Sequence, residues 1–240
     1  MTMREAFTQK LLAAGLKPGM RILDMGCGQG EVSALALDCV GDSGEVYGVD
    51  MSEEAIIAAR ESHSAPNLHF LVADLNSALP VAGKFDALIG RRVLMYLPDP
   101  LATLQHVKKY LKTDGLFLFQ ESDATLALAQ EAALPKMQAA QEAVWQTVAH
   151  EGGDIHMGMH LHGLLSQLGA EVKWLHSEND LQSKATGTDL PWLLEVMAER
   201  LAAVADLRDL TPQALEEELA GSTGSFVRDT HVGIVAQSKD

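Results

Sequence analysis

Positive charge is scarce in this chain. Against 33 Asp and Glu there are 18 Lys and Arg, a formal net charge of −15 over 240 residues. A surface of that sign repels a phosphate backbone and argues against a nucleic-acid partner. It is repelled in the same way by anionic membrane surfaces. The pair Arg91-Arg92 is too small to reverse that field. Cysteine is almost missing. Cys27 and Cys39 are the only two, and they make no CxxC and no Cys/His spacing of a zinc site. One sits in a tight turn and the other on the following helix, so two free thiols of a reducing cytoplasm are expected rather than a disulfide. No apolar run approaches the length of a membrane span, and MTMREAFTQK lacks the apolar centre of a signal peptide. These shortages point to a cytoplasmic protein, monomer or homodimer, with neither nucleic-acid nor membrane partners. Aromatic residues reach only 5 %, yet apolar residues total 47 %, which is enough for a globular core.

What is present has a rhythm. RILDMG, GEVYGVD, NLHFLVAD, KFDALIG and TDGLFLFQESD read as strands, apolar on both faces as buried parallel strands are. Helical patterns separate them: GEVSALALDCV, then SEEAIIAARES with Ser52 as N-cap and two glutamates in its first turn, then LATLQHVKKYL behind Pro98 and Pro100. Alternation of this kind predicts a parallel sheet with helices on both faces. After Asp123 the rhythm breaks into an alanine-rich helical tract interrupted at Pro135. HLHGLLSQLGA is a further helix and EVKWLHSE a sixth strand. LPWLLEVMAERLAAV and TPQALEEELAG are helices, the second with Thr211 as N-cap and Pro212 at its first position, and HVGIVAQSK is the last strand. With no repeat and no linker, the reading is one domain over 1–240. Its core covers about 15–125, 157–178 and 229–238, with helical insertions at about 124–156 and 179–228.

ILDMGCGQGEVS carries the chemistry. Gly26, Gly28 and Gly30 alternate after the first strand, where a parallel sheet binds ligands and a missing Cβ lets backbone approach them. The second strand ends in Asp50, placed to accept from ribose hydroxyls, followed by Met51, suited to a purine face. The third ends in Asp74, placed to accept from an exocyclic amine, and the fourth in Gly90, where backbone could approach a ligand. A nicotinamide site normally reads GxGxxG around a pyrophosphate. Here the spacing is GxGxG with Asp24 two residues upstream, and Glu31 and Asp38 add negative charge to the next helix. A ligand with a ribose, an adenine and a cationic end fits better.

ILDMGCGQG, VYGVDMS, LVADL and the FDALIG–RRVLMYLPDP junction together resemble the motifs of the class I S-adenosylmethionine-dependent methyltransferases. The likeness is to the methyltransferase-domain group similar to the ubiquinone/menaquinone biosynthesis methyltransferases, and it covers roughly 15–125 and the last three strands. The resemblance implies an α/β, Rossmann-like, three-layer αβα fold. Its seven-stranded sheet is mostly parallel with the last strand antiparallel. The helical insertions after strands 5 and 6 are this chain's own, the first longer and more helical than the family's minimal core. Their place after those strands predicts lids. The resemblance also implies roles. Asp24, Gly26, Cys27 and Gly28 would border the methionine end of S-adenosyl-L-methionine, and Asp50 would hold the ribose. Met51 would flank the adenine, Asp74 and the Leu75 backbone would meet the adenine amine, and the Arg91 carbonyl the ammonium.

Methyl transfer is an in-line displacement that needs the acceptor held close, and a base only where the acceptor carries a proton. Glu121, after the fifth strand, and His156, in GGDIHMGMHLHG, are the candidate catalytic groups. Arg92, Tyr96, Trp145, Met157, Met159 and His160 are candidate substrate-binding residues, and Trp145, Met157 and Met159 are expected to line an apolar pocket that excludes water around His156. His156 and His160 lie four apart but lack a third ligand, so no metal is expected. The function expected is methylation of an N or O atom of a small organic metabolite. Two alternatives remain open at this point: a protein or tRNA nucleoside as acceptor, and a non-catalytic cofactor-binding subunit.

Overall fold

The computed structural model describes residues 3–130 and 134–239. Residues 131–133, inside the alanine-rich tract, lie outside the described residues, as do 1, 2 and 240. Seven strands form one sheet in the order β3-β2-β1-β4-β5-β7-β6. They are β1 (Arg21–Met25), β2 (Glu45–Asp50), β3 (Leu68–Val72), β4 (Phe85–Arg91), β5 (Leu111–Asp123), β6 (Glu171–Ser183) and β7 (Ser225–Gln237). β1 through β5 pair in parallel, with Leu23 opposite Tyr47 on one side and Leu88 on the other. The last strand, antiparallel, is inserted between β5 and β6.

The chain divides into two compact units. Unit 1 comprises the residues up to Glu121, 159–176 and 232 onward. Its helices are α1 (Met3–Gly15), α2 (Glu31–Val40), α3 (Glu53–Ser62) and α4 (Pro100–Lys108), with most of α7 (Met157–Gln167). Its core joins Ile22, Val46, Ala87, Ile89 and Leu118 of the sheet to Leu11 and Leu12 of α1 and Val32, Ala36 and Val40 of α2. Local signals set the helix starts. Ser52 Oγ accepts from the Ala55 N–H at 3.2 Å, and Asp99 Oδ1 from the Ala102 N–H at 2.9 Å ahead of Pro100. α1 has no counterpart in the sequence reading. Its face is mixed: Phe7 is buried against Trp174 and His176, and the polar Thr8 is buried as well, its hydroxyl 2.7 Å from Gln120 Oε1. A buried threonine breaks the apolar stripe that marks an amphipathic helix.

Unit 2 comprises 122–158 and 177–231, and so gathers both insertions into one body. Its helices are α5 (Thr125–Ala129), α6 (Pro135–His150), α8 (Leu190–Val196), α9 (Ala198–Leu201) and α10 (Pro212–Ala220). They enclose a core of their own, in which Met137, Ala140 and Val144 of α6 meet Leu190, Leu194, Leu201, Leu215 and Leu219. Thr211 caps α10, accepting from the Ala214 N–H at 3.1 Å, with Pro212 next to it. The second insertion is less helical than expected. β6 continues to Ser183 and β7 begins at Ser225, where strands were expected only to Glu178 and from His231. β6 is largely exposed, so its residues are polar, and Arg228 and Asp229 of β7 are buried but charged. Apolar alternation, the mark of a strand, is absent from both extensions.

Candidate functional site

In unit 1 a cavity of about 520 Å³ opens at the carboxyl ends of β1 to β4, lined by Gly26, Asp50, Met51, Asp74, Leu75, Arg92 and Tyr96, together with Ala73, Asn76, Val93, Leu97 and Pro98. This is where a parallel sheet places a ligand. Three crossovers meet there, each built by its own residues.

The first is the glycine turn. Gly26, Gly28 and Gly30 all take positive φ, at 62°, 52° and 88°, a region that L side chains rarely enter. Their surroundings differ. A Cβ on Gly26 would stand 2.6 Å from Val93 Cγ2, and one on Gly30 2.6 Å from Phe70 Cζ; one on Gly28 would meet nothing within 4 Å. Gly26 and Gly30 therefore serve packing, Gly26 while also lining the cavity, and the space beside Gly28 is open. Gly90, expected to admit a ligand, instead packs: a Cβ there would lie 2.7 Å from Val93 Cγ1 and 3.0 Å from Phe119 Cε1. Cys27 also departs from expectation in part. Its side chain is buried in an apolar cluster with Ile56, Ala59 and Phe70, so only its backbone can border a ligand, and burial pushes its thiol pKa up. Cys27 and Cys39 are both free.

The second is the end of β2. Asp50 Oδ2 accepts from the Gly28 N–H and Oδ1 from the Ser52 N–H, both at 2.9 Å. One carboxylate thus fixes the glycine turn and the start of α3, and each oxygen keeps a further lone pair. Met51 beside it is 80 % exposed, an apolar side chain presented to solvent at the cavity wall. On the same wall Asp74 closes a turn, with Oδ1 accepting from the Asn76 N–H at 2.8 Å.

The third follows β4. Arg92 holds φ at +52°, a left-handed conformation uncommon for a long side chain and typical of constrained sites. Its N–H donates to the Gln120 carbonyl, and its guanidinium lies 3.2 Å from the Tyr96 hydroxyl. Glu121 fastens the next residues: Oε1 accepts from the N–H groups of Val93 at 3.0 Å and Leu94 at 2.8 Å. Arg91 pairs with Glu31 through its side chain, leaving its backbone at the strand end.

Two buried carboxylates dominate the electrostatics of unit 1. Asp24, 1 % exposed, accepts from the Ser33 hydroxyl at 2.6 Å through Oδ2, while Oδ1 has no partner. Burial pushes its pKa up to about 7, opposed by the Ser33 hydrogen bond and Arg91. Glu121, fully buried, is likewise pushed up to about 7 by burial, and its Oε2 has no partner. An unpaired carboxylate oxygen kept from water is costly, and a cationic ligand group relieves that cost. Glu121 is not among the cavity walls. It fixes the loop that forms one, which corrects its expected place as an acid–base group touching substrate.

The expected substrate residues are dispersed. Arg92 and Tyr96 line the cavity. Trp145 is 1 % exposed inside unit 2 with the Arg228 guanidinium 5.9 Å from its ring, and Met157 is 3 % exposed. Both are interior side chains rather than pocket walls. Met159 and His160, farther round α7, are exposed; residues two apart on a helix face different ways. His156 lies in unit 2 with its side chain 43 % exposed, so the water-excluding pocket expected around it is not present there. The sequence reading missed Ala73, Asn76, Val93, Leu97 and Pro98. All five follow closely on strand ends already assigned, and extending each assignment into the next loop would have reached them. Among the described residues, no cluster of His, Cys, Asp and Glu has the form of a metal site.

Known proteins place this geometry. The family described as methyltransferase domain matches residues 16–184. An arsenite methyltransferase of Aquipseudomonas alcaligenes is 31 % identical over 131 residues, covering 50 % of this chain and 38 % of that protein. A ubiquinone biosynthesis O-methyltransferase of Actinobacillus pleuropneumoniae is 32 % identical over 116 residues, covering 45 % of this chain and 48 % of its own. The chain thus spans less than half the length of these curated relatives. Among solved structures, a putative methyltransferase of Bacillus halodurans superposes with a TM-score of 0.67 at 17 % identity, covering 98 % of this chain and 100 % of its own. That likeness establishes the fold.

Proposed function

We propose that this chain, which belongs to the methyltransferase domain family, transfers a methyl group from S-adenosylmethionine to an N or O atom of a small organic molecule. The observation that carries the proposal is the cavity at the carboxyl ends of β1 to β4, whose wall brings together Gly26, Asp50, Met51, Asp74 and Leu75.

When bound, the cofactor supplies an electrophilic methyl carbon on a good leaving group. The chain's own contribution is position. Asp50 has lone pairs left for two ribose hydroxyls after holding Gly28 and Ser52 in place. Met51 and Leu75 offer apolar surface to a purine, Asp74 accepts from its amine, and the Arg91 carbonyl and Asp24 take the ammonium. Arg92 and Tyr96 contact the acceptor from the cavity wall. The net charge of −15 favours a small molecule over tRNA.

Calorimetry with S-adenosylhomocysteine and with NAD tests the cofactor. One-to-one binding of the former and none of the latter is expected, and preference for NAD overturns the reading. Label from methyl-labelled S-adenosylmethionine is then followed into low-molecular-weight, protein and tRNA fractions of a cell extract. Transfer to the small-molecule fraction alone is expected; transfer to tRNA or protein replaces the proposed acceptor.

A further inference from the structure

Asn76, in the loop after β3, lines the unit 1 cavity beside Asp74 and Leu75. Its polar groups are divided between holding that loop and facing the cavity. The backbone N–H donates to Asp74 Oδ1 at 2.8 Å. The side-chain oxygen Oδ1 accepts from the Thr103 hydroxyl at 2.7 Å. Thr103 lies on α4 and is 2 % exposed. A buried hydroxyl that loses its acceptor is costly, so this bond orients the amide. The amide's remaining donors are the two N–H groups of Nδ2. A planar amide held by its oxygen directs its nitrogen the other way, and the Asn76 side chain is exposed where it lines the cavity.

Asp74 supplies the complement. Its Oδ1 is engaged by the Asn76 N–H, while Oδ2 takes only a long contact from the Ser77 hydroxyl at 3.3 Å and keeps a lone pair for a ligand. One loop therefore offers the cavity an acceptor and a donor. Adenine matches that pair, since its amine donates and the ring nitrogen next to it accepts. A purine with oxygen in place of the amine presents acceptors there, and sets that oxygen against the Asp74 carboxylate. The Thr103 bond by itself asks only for an acceptor, which an aspartate supplies equally well. What asparagine adds is the nitrogen.

We propose that Asn76 Nδ2 reads the base of the cofactor, donating to the ring nitrogen beside the amine that Asp74 accepts, so that the two side chains together select an aminopurine. This rests on the S-adenosylmethionine reading above and adds a side-chain specificity contact to it. Asp74, Asn76 and Thr103 all belong to unit 1, so the contact is complete within that unit.

The test is calorimetry on the whole chain with S-adenosylhomocysteine and with its 1-deaza and 7-deaza analogues, in which one ring nitrogen beside the amine is replaced by CH. Asn76→Ala is expected to weaken S-adenosylhomocysteine by about 10-fold, the loss of one hydrogen bond. One of the two analogues is expected to bind the wild type more weakly by a similar factor and to lose nothing further in Asn76→Ala, because the atom that Nδ2 meets is already gone. Asn76→Asp keeps an acceptor for Thr103 but puts a carboxylate where the donor stood, and is expected to bind more weakly than Asn76→Ala. Equal losses for all three ligands in Asn76→Ala, unchanged affinity there, or wild-type affinity in Asn76→Asp each overturn the proposal and leave Asn76 as a tie between its loop and α4. A wild type that binds no S-adenosylhomocysteine is a different failure. It removes the cofactor reading itself, and the adenine contact with it.

Discussion

In unit 1 the polar contacts that shape the cavity are short in sequence. Asp24 meets Ser33 nine residues on, Asp50 meets Gly28 at a separation of 22, and Glu121 meets Val93 at 28. In unit 2 the polar contacts that fasten helices to strands and to one another are long. Gln130 reaches the Val227 carbonyl across 97 residues, and Gln141 reaches it across 86. Glu218 caps α6 through the N–H groups of Lys136 and Met137, 82 and 81 residues away. The buried Arg228 meets Asp189 across 39. Unit 1 shapes loops at strand ends with groups from the same or the adjacent crossover. Unit 2 fastens helices to strands with groups that only the folded chain brings together. The contrast explains why one unit can be recognised by motif and the other cannot.

The largest effect expected from this contrast is on unit 2 alone. Trp145→Ala removes a fully buried side chain and should cost about 3–5 kcal/mol. Hydrogen exchange should show that loss in the amides of α6, α8 and α10, with β1 to β4 protected as before and S-adenosylhomocysteine affinity retained. Equal loss in both units would break the distinction between them.

A smaller effect belongs to unit 1. Asp50→Ala removes a charged acceptor for ligand hydroxyls and the shared anchor of Gly28 and Ser52. Binding of S-adenosylhomocysteine should weaken by about 2–3 kcal/mol in calorimetry. Unchanged affinity would remove the ribose from Asp50.

The buried carboxylates give a pH signature of about 1.4 kcal/mol per pH unit for each group. Asp24 and Glu121 are raised from 3.8 and 4.5 to about 7. Between those limits the folded chain holds protons that the unfolded chain has lost. Stability from these groups is therefore present at low pH and declines as pH rises towards 7. Asp24→Asn should thus gain stability relative to wild type as pH increases from about 4 to 7, in denaturant titrations run across that window. A constant difference would show that Asp24 is not raised. The smallest effects sharpen the comparison by their equality: Ser52→Ala in unit 1 and Thr211→Ala in unit 2 each remove one cap and should each cost about 1 kcal/mol of stability.

Read from the amino acids alone, the chain already specifies its parallel strands, the caps at Ser52 and Thr211, and the cavity residues Gly26, Asp50, Met51, Asp74 and Leu75. Each depends on local periodicity, φ preference or the rule that ligands sit at strand ends. Tertiary structure decided what depends on distant partners. It buried α1 through Thr8 and Gln120, extended β6 and β7 with polar residues, and joined two insertions about a single core. It packed Gly90 rather than opening it, and turned Glu121 from an expected proton carrier into the anchor of the loop after β4. Residue type and spacing show which groups can do chemistry. Whether a carboxylate meets a ligand, a backbone N–H or a hydroxyl depends on which strands and loops pack beside it.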